Sequence, residues 1–247
     1  MENPFFDDAI TPPQIIQRST LDVFATPSSV GPISIDGGGL LFVNSGGELN
    51  CGDLTLGGIS RTRPARCRLD ESNPALADDV LNVDNIIVGG PRGFPGLLEL
   101  VTAAVSVDQF FTIDTGSTLS GDGMLVIRNP SGQLTNRGTI SVPPGAAKTL
   151  QISRDYVQPI SGRLVLTVNR LNSAVDAPLA LLGDTVQLND TIVLRFSGNR
   201  LPRSGEVFAL LRAENATINN NATVRVAGAS RRFVVVQDPF GIVVTFH

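Results

Sequence analysis

The fold class is decided by residues 116–152, which read GSTLSGDGMLVIRNPSGQLTNRGTISVPPGAAKTLQI. Apolar runs such as Leu125, Val126 and Ile127 recur about every ten residues, and each run is closed by Gly, Asn, Pro or Ser. Such spacing is typical of short strands separated by tight turns, and it fits no helical periodicity. The stretch therefore predicts an all-β protein.

An internal similarity extends this pattern to the first half of the chain. The segment ISIDGGGLLFVNSGGELNCGDLTLGG, which begins at Ile33, can be laid on GDGMLVIRNPSGQLTNRGTI at 121–140, so that Leu41 matches Leu125 and, after one inserted residue, Leu49 matches Leu134. An offset of 84 residues between Gly37 and Gly121 predicts roughly four coils of about 21 residues. We therefore expect a β-solenoid, in which stacked coils share aliphatic columns. An antiparallel β-sandwich is the competing interpretation, because it also has many short strands and turns.

The chain order predicts one domain with two irregular segments. Residues 1–28 are rich in proline and weakly patterned, and we expect them to cap the N-terminal end. Residues 29–247 are expected to form the solenoid, with residues 59–80 as a polar surface insert. Strands are predicted at residues 81–88, 97–101, 105–107, 110–113, 164–168, 178–182, 192–196, 207–211, 233–236 and 242–246.

Composition narrows the range of partners. The hydrophobic content of 42% is too high for a disordered chain, and the net charge of −4 offers no long-range attraction for nucleic acid. No apolar run approaches the roughly 18 residues that a membrane-spanning helix needs. The first residues, MENPFFDDAI, lack a secretory signal. We expect either a cytosolic protein or a segment of a longer exported precursor.

A family resemblance is carried by residues 132–213. The segments are GQLTNRGTI at 132–140, TLQISRDYVQPISGRLVLTV at 149–168, APLALLGDTVQLNDTIVLRF at 177–196 and PRSGEVFALLRA at 202–213. This part of the chain resembles the β-helical passenger regions of bacterial autotransporters and related exported adhesin-like proteins. The residues that match the family pattern are Asn136, Gly138, Tyr156, Gln158, Gly162, Leu164, Gly205, Phe208 and Leu210.

The resemblance covers about a third of the chain and implies a right-handed parallel β-helix at the bacterial cell surface or outside the cell. It implies a structural or adhesive role, without catalytic residues or cofactors. A cell-surface or glycan ligand and self-association through the ends or faces of the solenoid are the expected interactions. The missing export signal is a departure from the family.

Two enzyme classes remain as alternatives to an adhesive protein. Asp114, Thr115, Gly116 and Ser117 spell the active-site turn of aspartic proteases, but that chemistry needs two such turns, so only a symmetric dimer could supply it. A carbohydrate-active or polysaccharide-binding β-helix, similar to a lyase or hydrolase, would need a groove of carboxylates and arginines along the coils. The single histidine, His247, leaves no catalytic triad and no histidine-rich metal site.

Six further residues are candidates for binding or cross-linking. Arg61, Arg63, Arg66 and Arg68 form a basic cluster that could hold an anion, although the acids from Asp70 onward can neutralise it. Cys51 and Cys67 are the only cysteines, too few for a zinc site. In an exported protein they could form a disulfide.

Overall fold

We describe the protein from a computed structural model. The described residues are 14–17, 20–23, 27–43, 47–57, 63–70, 81–90, 93–144, 149–168, 177–197, 202–213, 216–228, 232–238 and 240–247. Within these ranges the chain forms strands, turns and irregular segments, and no helix that could cross a membrane is present.

The strands are short because glycine, proline and asparagine interrupt each aliphatic run. In chain order they are β1 Gln14–Gln17, β2 Thr20–Val23, β3 Pro27–Val30, β4 Ile33–Asp36, β5 Leu40–Val43, β6 Glu48–Cys51, β7 Leu54–Leu56, β8 Ala65–Asp70, β9 Leu81–Val88, β10 Gly96–Ile113, β11 Thr118–Ile127, β12 Gln133–Asn136, β13 Thr139–Val142, β14 Leu150–Ile152, β15 Asp155–Gln158, β16 Arg163–Val168, β17 Leu179–Leu181, β18 Thr185–Leu188, β19 Thr191–Phe196, β20 Val207–Arg212, β21 Thr217–Asn220, β22 Thr223–Val226, β23 Phe233–Asp238 and β24 Gly241–Phe246.

These strands join into one curled, mostly parallel sheet with three ladders, in which short strands pair with the third strand after them. Ladder A contains β1, β4, β7, the end of β9, the end of β10, β12, β15, β18 and β21. Ladder B contains β2, β5, β8, the starts of β10 and β11, β13, β16, β19 and β22. Ladder C contains β3, β6, the start of β9, the middle of β10, the end of β11, β14, β17 and β20.

The predicted all-β class is confirmed, and the parallel pairing excludes the antiparallel sandwich for the described strands. Only β24 pairs antiparallel, with β20 on one side and β23 on the other. The residues predicted as strands from residue 81 onward lie in strands, with small shifts at the ends, because aliphatic runs bounded by turn residues mark them clearly. The predicted strands at 97–101, 105–107 and 110–113, however, are parts of one long strand, β10.

The predicted internal alignment is wrong by one ladder. Leu41 lies in ladder B and stacks through Cys67 and Leu98 onto Leu119, three strand steps and 78 residues later. Leu125, its predicted match, lies in ladder C. The step between paired strands varies from 19 residues, at Gln14 and Ile33, to 32 residues, at Thr191 and Thr223, so a constant period of 21 cannot hold.

Residues 65–70 differ from the predicted polar surface insert. They form β8, which pairs with β5 and β10, and Ala65, Cys67 and Leu69 are fully buried. Alternation explains this, because the two arginines of ARCRLD occupy the outward positions of a strand whose inward positions are apolar. Of the rest of the insert, Arg63 and Pro64 are described, and residues 59–62 and 71–80 lie outside the described residues.

The N-terminal strands belong to the ladders as well. β1, β2 and β3 pair in parallel with β4, β5 and β6, as later strands do. Residues 1–13 of the predicted cap lie outside the described residues. The prediction that residues 1–28 cap the N-terminal end of the solenoid therefore stays a prediction.

The core lies inside the curled sheet, where inward positions of all three ladders stack as aliphatic columns. It ends at an aromatic cluster, in which the ring centroids of Phe208 and Phe246 are 5.9 Å apart and edge-to-face. Phe196 contacts both rings. Since Phe246 belongs to β24, the antiparallel hairpin β23–β24 covers the C-terminal end of the core.

Candidate functional site

The first candidate site is a cleft of about 340 Å³ at the outer edge of ladder C. Its polar lining comes from successive strands: Asn50 of β6 pairs with Asn82 of β9, and Asp84 follows directly behind the paired residue Val83. Val107 of β10 pairs with Ile127 of β11. Asp108 and Arg128, which directly follow these two residues, also line the cleft. Stacking in register therefore gathers side chains that lie far apart in sequence.

A hydrogen-bonded chain of side chains holds the cleft in shape. The carboxylate oxygen Oε1 of Glu48 accepts hydrogen bonds from Nδ2 of Asn50 at 3.1 Å and Nδ2 of Asn82 at 3.2 Å. Arg128 donates from Nη2 to Oδ1 of Asn82 at 2.8 Å and from Nη1 to Oδ1 of Asp108 at 3.1 Å. Three strands and the residue that follows β11 thus contribute to one network that orients the amides and the guanidinium before any ligand arrives.

The cleft carries an excess of negative charge. Among the described residues that line it are Asp84 and Asp108, and Arg128 is the only cationic one of these. Burial, with smaller contributions from Asp84 and Asp53, raises the pKa of the adjacent Cys51 thiol to about 12. Cys51 is therefore a neutral thiol at physiological pH and no nucleophile. The arrangement offers carboxylate acceptors and amide and guanidinium donors, which suits hydroxyl or ammonium groups of a ligand.

Sequence reasoning missed this cleft. Its residues come from five separate segments, and their proximity depends on a strand register that the internal alignment assigned incorrectly. The one available signal is a Leu-Asn pair followed within three residues by an aspartate, as in ELNCGD at 48–53 and LNVDN at 81–85.

The second candidate is a strip along the outer face of ladder A, which we call the uncharged column. Its members face outward on eight successive strands, are at least partly exposed and carry no charge: Ser34, Thr55, Ile87, Thr112, Thr135, Val157, Gln187 and Asn219. At about 4.8 Å per strand the column extends about 34 Å. The half-exposed ring of Phe110 lies beside it in the strand that carries Thr112.

The predicted anion-binding arginines lie on the outer face of ladder B or outside the described residues. Arg66 and Arg68 are exposed on β8, Arg63 is exposed just before it, and Arg61 lies in a range that the structure does not describe. Arg68 pairs with Asp70 at 2.9 Å and stands opposite Glu99 of β10. Its guanidinium is also 6.0 Å from the centroid of the Phe42 ring. Anion binding by this cluster stays a prediction.

The two cysteines are unbonded in the structure, and the disulfide that they could form in an exported protein stays a prediction. Cys51 ends β6 in ladder C and Cys67 lies in the middle of β8 in ladder B, both facing the core. Burial also raises the pKa of Cys67, which is fully inaccessible.

The protease-like sequence at residues 114–117 forms a corner between ladders A and B. The backbone N–H of Asp114 donates a hydrogen bond of 2.8 Å to the carbonyl of Val88, which continues the ladder. The carboxylate of Asp114 accepts a hydrogen bond of 3.4 Å from the guanidinium of Arg137. The Ser117 hydroxyl accepts a bond from the N–H of Gly96 at 3.1 Å. These contacts account for the aspartate and the serine as turn residues.

Comparisons with known proteins add no assignment. No protein-family model matches the chain, and no curated protein is similar to it. Within the described residues no group of three or more histidine, cysteine, aspartate or glutamate side chains is placed to hold a metal ion.

Proposed function

We propose that this chain is a right-handed parallel β-helix that acts as a structural or adhesive segment of a bacterial surface or secreted protein. The observation that carries the adhesive role is the uncharged column. A flat row of small hydroxyl, amide and aliphatic side chains on a sheet face can contact a surface or a glycan without desolvating charges. The three parallel ladders support the helical architecture. They also give the row of side chains its stiffness and even spacing.

The architecture is tested by small-angle X-ray scattering of the full chain together with circular dichroism. A stacked helix gives a strand-rich spectrum and a rod-like distance distribution whose long dimension exceeds its cross-section about twofold or more. A spherical particle of this mass would contradict the β-helix and, with it, the resemblance to passenger regions.

Adhesion is tested with beads coated with the protein and allowed to settle on cellulose or on bare glass. The variant Thr112→Lys/Thr135→Lys places two charges on adjacent strands of the uncharged column. The matched control is Ser120→Lys/Ser141→Lys, which makes the same change on adjacent strands of ladder B. We expect retention to fall at least tenfold for the first variant and to be unchanged for the second. Equal retention of both variants would contradict adhesion through this face.

A second function is favoured by the cleft. We propose, as the alternative, that the cleft between Asn82, Asp84, Asp108 and Arg128 binds a polysaccharide, with carboxylates accepting from sugar hydroxyl or ammonium groups. Calorimetry with chitosan oligomers and with neutral cello-oligomers provides the probes. Asp84→Asn/Asp108→Asn is expected to weaken binding at least tenfold, whereas Asp22→Asn, an exposed change on β2, is expected to leave it unchanged.

The same experiment addresses activity. Reducing ends released from either oligomer are counted over time with the wild-type protein. Release that is lost in Asp84→Asn/Asp108→Asn would convert the alternative from a binding site into a carbohydrate-active one. Absence of both binding and release would remove the cleft as a functional site and leave the adhesive proposal standing.

A further inference from the structure

The outermost strand of the C-terminal hairpin has a free edge. β23 pairs with β24 in antiparallel register, and the N–H of His247 donates to the carbonyl of Arg232 at 3.0 Å. In an antiparallel pair the backbone groups alternate between the two edges. The N–H and C=O groups of Phe233, Val235 and Gln237 therefore point away from β24, toward an edge with which none of the described strands pairs.

The side chains along this edge are apolar and exposed where they do not face the core. Val234 is 48% exposed and Val236 is 44% exposed, whereas Phe233 and Val235 pack against the core. A hollow lined by Arg232, Phe233, Val234 and His247 lies beside the start of the strand. An exposed, aliphatic strand edge is a template for pairing with another strand.

We propose that β23 is a homodimer edge, at which the β23 strands of two copies of this chain pair antiparallel about a twofold axis at Val235. In this register Val235 faces its own copy, and Phe233 faces Gln237 of the second copy, so the outward backbone groups form about six hydrogen bonds. The register is the one that uses the whole described strand, from Arg232 to Asp238.

Side-chain chemistry favours the same register. Val234 stands opposite Val236 of the second copy, and such non-hydrogen-bonded pairs bring their side chains closest together. The exposed Arg232 stands opposite Asp238 of the second copy, and the twofold axis repeats both contacts. Apolar and charge complementarity within a single strand therefore identify a second copy as the occupant, an association that goes beyond the proposed adhesive function.

The proposed dimer interface is small, which limits the expected affinity. One added strand pair buries less area than a standard protein interface, so we expect a Kd on the order of 10 μM. Sedimentation velocity of the full chain between about 1 and 200 μM should then show a monomer–dimer equilibrium.

Lysine substitutions test the edge. Val234→Lys/Val236→Lys changes two exposed positions and is expected to weaken dimerisation at least twentyfold, because four ammonium groups would face one another. Val207→Lys is the matched control, since this valine of β20 is 42% exposed and lies away from the free edge. A wild-type protein that stays monomeric at 200 μM, or a dimer that the double variant leaves intact, would overturn the proposal.

Cysteine pairs test the register. Val234→Cys and Val236→Cys variants, oxidised separately, are expected to stay largely uncross-linked, because each new thiol lies diagonally from its own copy. Their equimolar mixture is expected to form a disulfide heterodimer at least fivefold more efficiently, because directly opposed residues satisfy disulfide geometry. The native cysteines are buried and do not compete. Equal cross-linking of one variant alone would contradict the axis at Val235.

Discussion

Asn136 donates a hydrogen bond of 2.9 Å from Nδ2 to the phenolic oxygen of Tyr156, across two neighbouring strands of ladder A, and both side chains are fully inaccessible to solvent. The phenol in turn donates to Oε1 of Gln158 at 3.1 Å, and Nε2 of Gln158 donates to the carbonyl of Gly162 at 3.1 Å. A polar relay therefore runs through an otherwise aliphatic core and ties two strands to the following corner.

Tyr156→Phe should reduce the free energy of unfolding by about 1–3 kcal/mol, because Gln158 loses its donor and Asn136 loses one acceptor in a site without water access. Urea unfolding followed by circular dichroism measures the change. Val157→Ala, a change on the outer face of the same strand, is the control and should cost clearly less. A Tyr156→Phe protein as stable as the wild type would show that the relay contributes nothing.

Titration of the same tyrosine should be abnormal. Burial raises the pKa of Tyr156 above its ordinary value near 10, and the hydrogen bond from Asn136 offsets this only in part. Because the folded pKa lies above the unfolded one, the resulting stabilisation is complete below about pH 10 and is lost as the pH rises further. Since Tyr156 is the only tyrosine and tryptophan is absent, tyrosinate absorbance reports this one group. Absorbance that rises near pH 10 while the fold persists would contradict the buried position.

Both cysteines should resist modification in the folded protein. Burial raises the pKa of Cys51 to about 12 and also raises that of Cys67, so almost no thiolate exists at pH 8. Cys67 is inaccessible and Cys51 is only 8% exposed. Ellman's reagent is expected to react with no thiol in buffer and with two thiols in guanidinium chloride without reductant. Reaction of two thiols in the native protein would contradict their burial. Reaction of no thiol in guanidinium chloride would show that the two cysteines form a disulfide.

Gly121→Ala should be among the most destabilising single changes in the chain. The φ angle of Gly121 is +126°, a region that L-residues rarely adopt, and an added Cβ would overlap the backbone oxygen of Leu100 on the preceding strand. We expect a loss of more than about 3 kcal/mol by urea unfolding. Gly116→Ala is the matched control, because its φ is +83° but no atom lies within 4 Å, and it should cost about 1 kcal/mol. Similar losses for both variants would mean that strain alone decides the result.

The sequence was sufficient for many of the strands from residue 81 onward, but not for their stacking. Runs such as LVLTV at 164–168 and IVVTF at 242–246 predicted β16 and β24, because aliphatic residues between turn formers have few other stable arrangements. The internal alignment failed because inward-facing leucines occur in all three ladders, whereas the connections between the strands vary in length. Leu41 was therefore matched to Leu125 instead of Leu119.

Strand β8 and the cleft were not predicted from the sequence, for two different reasons. The arginines of β8 suggested a loop because the alternating inward residues are Ala, Cys and Leu, a weaker apolar signal than valine or isoleucine. The cleft could not be found before the register was known, since Asn50, Asn82, Asp108 and Arg128 meet only through stacking. Asn136, Tyr156 and Gln158 stood out in the sequence as part of a family pattern, and in the structure they form the buried relay.

The reversal of chain direction at β24 bears on how large an assembly of this protein can become. A column of strands that all run the same way can recruit further identical strands without limit, which is how amyloid fibrils elongate. In ladder C, β24 covers the edge of β20 and runs against the other strands, so no further parallel strand can add to β20. The edge that remains beyond β24 is that of β23, and the twofold pairing proposed there uses this edge in both copies, so association through the C-terminal end stops at two chains.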